Sequence, residues 1–175
     1  PSDWTAFERR VIAESKTGTG DNPGEARPGH IRDLDKYSAE VRQKKVDFDT
    51  RYESDFRELA KLGLNSYRFS LSWARLFPRS EMTEPDPEGV AFYRDVITAA
   101  KANGLKPHVS LFHFSTPEWF WEEKNGKRGW ERSDALSHWH RYVSAVSALI
   151  GQEINHWCTL NEPMVYALWG YIEGI

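Results

Sequence analysis

Leu64-Asn65-Ser66-Tyr67-Arg68-Phe69-Ser70-Leu71-Ser72-Trp73 alternates from Ser66 onward, with large apolar side chains at odd positions and small or polar ones at even positions. A period of two sends successive side chains to opposite faces of an extended chain, so the stretch predicts a strand over 64–73 with two unlike faces. Before it, Phe48, Tyr52, Phe56, Leu59 and Leu62 recur every three or four residues, and Gly63 stands where a helix stops. After it the unit repeats. Asp86-Pro87 supplies a cap and first-turn proline, Val90, Tyr93, Ile97 and Ala100 form a stripe ending before Gly104, and a second strand is predicted from Lys106 to Phe114. Ser133 is placed to cap a third helix with Leu136, Trp139, Val143, Val146 and Ile150 as its buried stripe, and Ile154 to Leu160 reads as a third strand. Such alternation implies parallel strands joined by helical crossovers, in a closed barrel or an open doubly wound sheet. Periodicity leaves both open, although no GxGxxG or GxxxxGK[ST] spacing opens any of the helices. The polar stretch Lys16 to Lys45, rich in glycine and proline, predicts a long surface loop.

The chain has 175 residues, 39% hydrophobic and 14% aromatic, enough apolar material for a packed core. A formal charge of -3 gives no broad basic field, which excludes nucleic acid or an anionic membrane as the expected main partner and favours a small neutral molecule. Cys158 is the only cysteine, so no intrachain disulfide forms, and a cytoplasmic location is expected. No apolar run reaches the roughly 18 residues of a membrane span, and Pro1-Ser2-Asp3-Trp4 does not resemble a signal peptide.

In parallel barrels reactive groups lie at the carboxyl ends of strands. The third predicted strand ends in Asn161-Glu162-Pro163, the second in His113-Phe114-Ser115-Thr116-Pro117, and the first carries Arg68 among Ser66, Ser70 and Ser72. Glycoside hydrolysis needs one carboxylic acid to protonate the departing oxygen and a second carboxylate to attack carbon or activate water. Glu162 suits the first role, Asn161 and His113 suit sugar hydroxyls, and Arg68 suits holding a partner carboxylate ionised. Alternation alone sends Asn161 and Glu162 to opposite faces, so sharing one pocket requires a bend or bulge there. Blander readings stand beside these: a solvated loop start for Glu162, a structural hydrogen bond for His113, and a buried ion pair for Arg68. Cys158 is expected to be a buried small hydrophobe, and the tryptophans to be mainly packing residues. His138 and His140 are two apart and do not share a helical face, so neither a metal nor any other cofactor is expected.

Tyr67 to Pro78, reading YRFSLSWARLFP, resembles the second-strand signature of glycoside hydrolase family 1. Thr159-Leu160-Asn161-Glu162-Pro163 resembles that family's acid/base motif, and Leu111 to Pro117 its third-strand motif. Asp47, Arg51, Tyr52, Asp55, Gly129-Trp130, Gly170-Tyr171 and Gly174 add further similarity. The resemblance implies an α/β fold, a partial (β/α)8 TIM barrel comprising roughly its strands two to four with flanking helices. It implies Glu162 as catalytic general acid/base, Asn161 and His113 as substrate-binding residues, and Arg68 as the residue orienting the nucleophile. Retention of configuration through a covalent glycosyl intermediate would follow.

The departures are also informative. Phe114 and Ser115 stand where the family usually has Trp and Asp, and Met164 where a tryptophan often follows the Asn-Glu-Pro triplet. The first strand should precede Ser2-Asp3-Trp4 to Phe7 and the nucleophile motif should follow Ile175, so residues 1–175 are expected to be an N-terminal-half fragment of a single barrel domain, lacking the first strand and strands five to eight. A complete barrel of this kind takes about 250 residues. The fragment alone is expected to be inactive, and the parent to hydrolyse terminal β-linked sugars of a small-molecule β-glycoside or oligosaccharide without metal or cofactor. Two alternatives remain open: a sugar-binding pseudo-glycosidase lacking a carboxylate, and a related barrel endo-glycanase.

Overall fold

A computed structural model describes residues 47–172. The predicted loop at Lys16 to Lys45, the Ser2 to Phe7 stretch and Gly174 lie outside the described residues. The elements run α1 (Phe48–Lys61), β1 (Ser66–Ser70), α2 (Trp73–Leu76), α3 (Pro87–Ala102), β2 (Lys106–Phe112), α4 (Ala135–Ile150), β3 (His156–Leu160) and α5 (Pro163–Ala167), followed by a π-helical turn, Leu168–Ile172. The strands form one parallel sheet in the order β1-β2-β3. Ser66 to Ser70 pair with Lys106 to Ser110, and His108 to Phe112 with His156 to Leu160.

The strand period predicted from Ser66 holds, but the strand is shorter than 64–73. Leu71 N–H still donates to Ser110 O at 2.9 Å, and then the Ser72 hydroxyl accepts from Arg75 N–H at 3.2 Å and caps α2. A side chain that satisfies a free helix donor competes with the ladder for the same backbone, and here it ends the strand. The odd residues Phe69, Leu71 and Trp73 are buried, as the alternation requires. Strand β2 likewise stops at Phe112, two residues before the predicted end, because Phe114 turns left-handed at φ 71°. Strand β3 starts at His156 and not at Ile154, since Gly151–Glu153 forms a 3-10 turn.

Helix α3 begins as read: the Asp86 carboxylate accepts from Gly89 N–H at 3.0 Å, and Pro87 costs nothing where no intrahelical donor is needed. Helix α1 ends at Gly63, whose φ of 80° suits a residue without Cβ; Gly63 N–H bonds Ala60 O and Leu64 N–H bonds Leu59 O. Leu62 is the C-cap that follows Lys61 and is 77% exposed, so it is not part of the stripe. Helix α4 departs from expectation at its start. Asp134, not Ser133, is the capping position, yet its side chain makes no cap bond, because Arg132 and Lys124 hold its carboxylate. Leu136 is 64% exposed, while Ala135 and Tyr142, absent from the predicted stripe, are buried with Val146 and Ile150.

The core lies between the helices and the odd-numbered face of β1 and β2. Trp73 is its hub, stacked on Tyr142 at 5.2 Å and meeting Trp119 and Trp139 edge-on at 6.0 and 5.7 Å. Burial pushes the Tyr142 hydroxyl well above its ordinary pKa, and it donates to Leu111 O at 2.8 Å, tying α4 to β2. Arg132, buried beside the loop after β2, donates to the carbonyls of Trp119 and Phe120 and pairs with both oxygens of Asp134. No helix of the described residues is long and apolar enough to cross a membrane.

Candidate active site

The even-numbered face of the sheet carries polar groups. The register sets Arg68 opposite His108 and His108 opposite His156; one step up, Ser70 faces Ser110 and Ser110 faces Cys158. The His108 and His156 rings stack at 4.4 Å, as neighbouring positions on parallel strands allow. Toward the carboxyl ends these faces join in a hydrogen-bonded chain. Arg68 Nη2 donates to Asn161 Oδ1 at 2.5 Å, Asn161 Nδ2 meets His113 Nε2 at 3.1 Å, and His113 Nδ1 meets Ser70 Oγ at 3.3 Å. Arg68 Nη2 also approaches Cys158 Sγ at 3.7 Å.

Arg68 and His113, single residues on two different strand units, are therefore joined through Asn161 of a third. Asn161 is 8% exposed and extends β3 by one bond, its N–H donating to Phe112 O at 2.9 Å. The chain bends immediately afterward. Glu162 is left-handed, at φ 45° and ψ 57°, while the pairing of β2 with β3 runs on in even register up to Leu160. The chain thus bends here at a single left-handed residue and not at a bulge. Pro163 bars Glu162 from the right-handed helical region and at the same time starts α5. A left-handed residue other than glycine costs about 1–3 kcal/mol, and such strain concentrates at functional sites. Phe114, at the mouth of neighbouring β2, is left-handed too. Its ring stacks on Tyr166 of α5 at 5.9 Å, and Phe112 meets Tyr166 edge-on at 5.1 Å, so the two strained mouths are packed against each other.

Glu162 is exposed and its side chain does not cap α5. Arg68 is also exposed and makes no ion pair with a described residue. Cys158 is half-buried against the Arg68 guanidinium, so the expectation of an inert apolar residue is corrected. Its parity with His156 and Leu160 was the available signal. Ser70 was also passed over individually, although it shares the even face with Arg68. Among the described residues no three or more His, Cys, Asp or Glu side chains gather as a metal cluster would require. A hollow of about 260 Å³ lies away from the site at the amino ends of β2 and β3, lined by Lys106 and His156, and one of about 320 Å³ between Phe48, Arg75 and Tyr93 reaches Ser70.

Comparison with known proteins bears on this arrangement. The chain is 37% identical over 130 residues to β-glucosidase 42 of Arabidopsis thaliana, covering 74% of this chain and 26% of the relative. It is 34% identical to rice β-glucosidase 4, covering 93% and 32%. It thus spans about a quarter to a third of the length of the curated relatives it matches. Among solved structures, the β-glycosidase of Pyrococcus horikoshii superposes with TM-score 0.64 at 35% identity, over 72% of this chain and 28% of that one. A rice β-glucosidase, Os3BGlu6, superposes with TM-score 0.67 at 31% identity, over 77% and 27%. The three parallel strands and their helices are part of a (β/α)8 barrel. With residues 27–175 matched by the model of glycosyl hydrolase family 1, and strands that superpose on solved β-glycosidases, the chain belongs to that family.

Proposed function

We propose that this chain is a segment of a retaining β-glycosidase that hydrolyses terminal β-linked sugars, with Glu162 as general acid/base and the nucleophilic carboxylate supplied from outside these residues. The observation carrying this reading is the left-handed Glu162 directly after Asn161, whose amide is held between Arg68 and His113. Glu162 protonates the departing glycosidic oxygen while the partner carboxylate attacks the anomeric carbon, giving a glycosyl-enzyme ester; Glu162, now a carboxylate, then takes a proton from the water that cleaves that ester. Asn161 and His113 bind sugar hydroxyls. Arg68 uses one donor on Asn161, and its remaining N–H groups are available to orient the nucleophile and keep it ionised. The rice β-glucosidase Os3BGlu6, whose structure is of a covalent complex with Glc, supports a glycosyl-enzyme route. In this reading the segment belongs to one barrel domain and acts on a small β-glycoside or oligosaccharide. The lone Cys158 supports a reducing, cytoplasmic setting.

The test uses the protein that carries this segment together with the rest of its barrel. Glu162→Gln should slow hydrolysis of glycosides with poor leaving groups by about 10²–10⁴-fold. Dinitrophenyl glycosides, which need little protonation, should lose less in the first step, and azide, a nucleophile that needs no base, should restore turnover as glycosyl azide. Equal loss on every substrate without azide rescue would remove Glu162 from the acid/base role. Residues 1–175 alone should release no phenol from an aryl β-glucoside; robust release abolished by Glu162→Gln would show that the nucleophile lies within the chain.

A further inference from the structure

The hydrogen-bonded chain around Asn161 has a direction, and one group sets it. Arg68 is a donor only, so the Asn161 atom 2.5 Å from its Nη2 is the amide oxygen. The Asn161 NH₂ must then face His113, at 3.1 Å from Nε2. An NH₂ group donates and does not accept, so Nε2 offers its lone pair and the ring proton lies on Nδ1. That proton points at Ser70 Oγ, 3.3 Å away. The order of donation is Arg68 to Asn161 to His113 to Ser70, leading from β1 through the ends of β3 and β2 and back to β1.

We infer that Arg68 is a positioning residue that, by turning the Asn161 amide, holds His113 as the Nδ1–H tautomer, leaving Nε2 as a hydrogen-bond acceptor toward the site and Ser70 to accept from Nδ1. The parity of β1 puts Ser70 on the same face as Arg68, so one strand supplies both the donor that starts the chain and the acceptor that ends it. Both ring nitrogens are then engaged. A sugar hydroxyl reaches His113 only by donating its own proton to Nε2, and this releases an Asn161 N–H to donate to a second hydroxyl. The sugar contact rests on the glycosidase reading; the tautomer is a property of the ligand-free protein.

The test is a long-range ¹H–¹⁵N imidazole correlation spectrum, at mildly alkaline pH, of the ¹⁵N-labelled protein that carries this segment together with the rest of its barrel, with His113 assigned by its loss in His113→Gln. His113 should show a proton-bearing, pyrrole-type Nδ1 and a pyridine-type Nε2. Arg68→Met, which frees the Asn161 amide to turn over, should move both shifts toward the average of the two tautomers, Arg68→Lys should restore them, and Ser70→Ala should keep the Nδ1–H pattern. Asn161→Asp, which replaces the donor by an acceptor, should invert the pattern toward Nε2–H. Unchanged His108 and His156 signals in each variant report that the sheet is intact. An Nε2–H tautomer in the unmodified protein, an Arg68→Met spectrum identical to it, or a Ser70→Ala shift to the tautomer average overturns the inference. None of these outcomes depends on turnover, so failure here is distinguishable from failure of the Glu162 assay.

Discussion

Strands β1 and β3 are the two outer strands of one sheet, each paired with β2 and each five residues long, yet they end in opposite environments. On β1 the apolar face is covered: Phe69 is buried, and Phe48 and Phe56 of α1 pack on Tyr67 at 6.1 and 4.9 Å. On β3 Trp157, Thr159 and Leu160 are exposed, and in the segment after it Met164, Trp169 and Ile172 remain exposed as well. Both strands satisfy the same ladder. Strand pairing therefore sets where the side chains point, and helix coverage sets how much stability they contribute.

The comparison is broken most easily at the covered side. Trp73→Ala or Phe56→Ala, each removing a fully buried aromatic, should cost about 3–5 kcal/mol, read as a lower urea midpoint. If Trp157→Ala costs as much, the contrast between the strands is wrong. Arg132→Ala should cost about 1–3 kcal/mol, because it leaves the Trp119 and Phe120 carbonyls without their donor and Asp134 with Lys124 as its remaining strong partner; a change in signal from the tryptophans packed there would report it. Acid should reach part of the same effect. Hydrogen bonds from Arg132, then from Lys124, hold Asp134 far below the ordinary carboxylate range, so its contribution is complete above the unfolded-state pKa and is lost only as pH falls through the depressed folded value. Asp134→Asn should flatten that acid limb of the tryptophan fluorescence titration. Asp86→Ala removes one helix cap and should cost about 1 kcal/mol. Trp157→Ser, on the uncovered side, should change stability by less than about 0.5 kcal/mol.

Much of the order of elements was legible because the periods are clean. Alternation over Ser66 to Trp73 and the stripes of α1 and α3 depend only on which residues must leave water, and the caps at Asp86 and Gly63 depend only on local chemistry. Strand ends were less legible. Ser72 and Phe114 terminate β1 and β2 through a side-chain cap and a left-handed turn, neither of which changes the apolar pattern. The start of α4 was misread for a similar reason: Asp134 looks like a capping residue in either register, and only the arrival of Arg132 and Lys124 diverts its carboxylate. Exposure of Leu62 and Leu136 shows the same limit, since a stripe identifies a face without saying how far its neighbours extend.

Glu162, Asn161, His113 and Arg68 could each be named as candidates from residue type and position at strand ends, and the family resemblance followed from the words around them. Sequence by itself determined the parity that puts Arg68 and Ser70 on one face of β1, because a two-residue period is a property of the extended backbone. Only the tertiary structure decided that Arg68 turns the Asn161 amide toward His113, and that His113 turns its proton toward Ser70. Those choices depend on donors and acceptors from three strands meeting within about 3 Å, and no pattern along a single strand contains that distance.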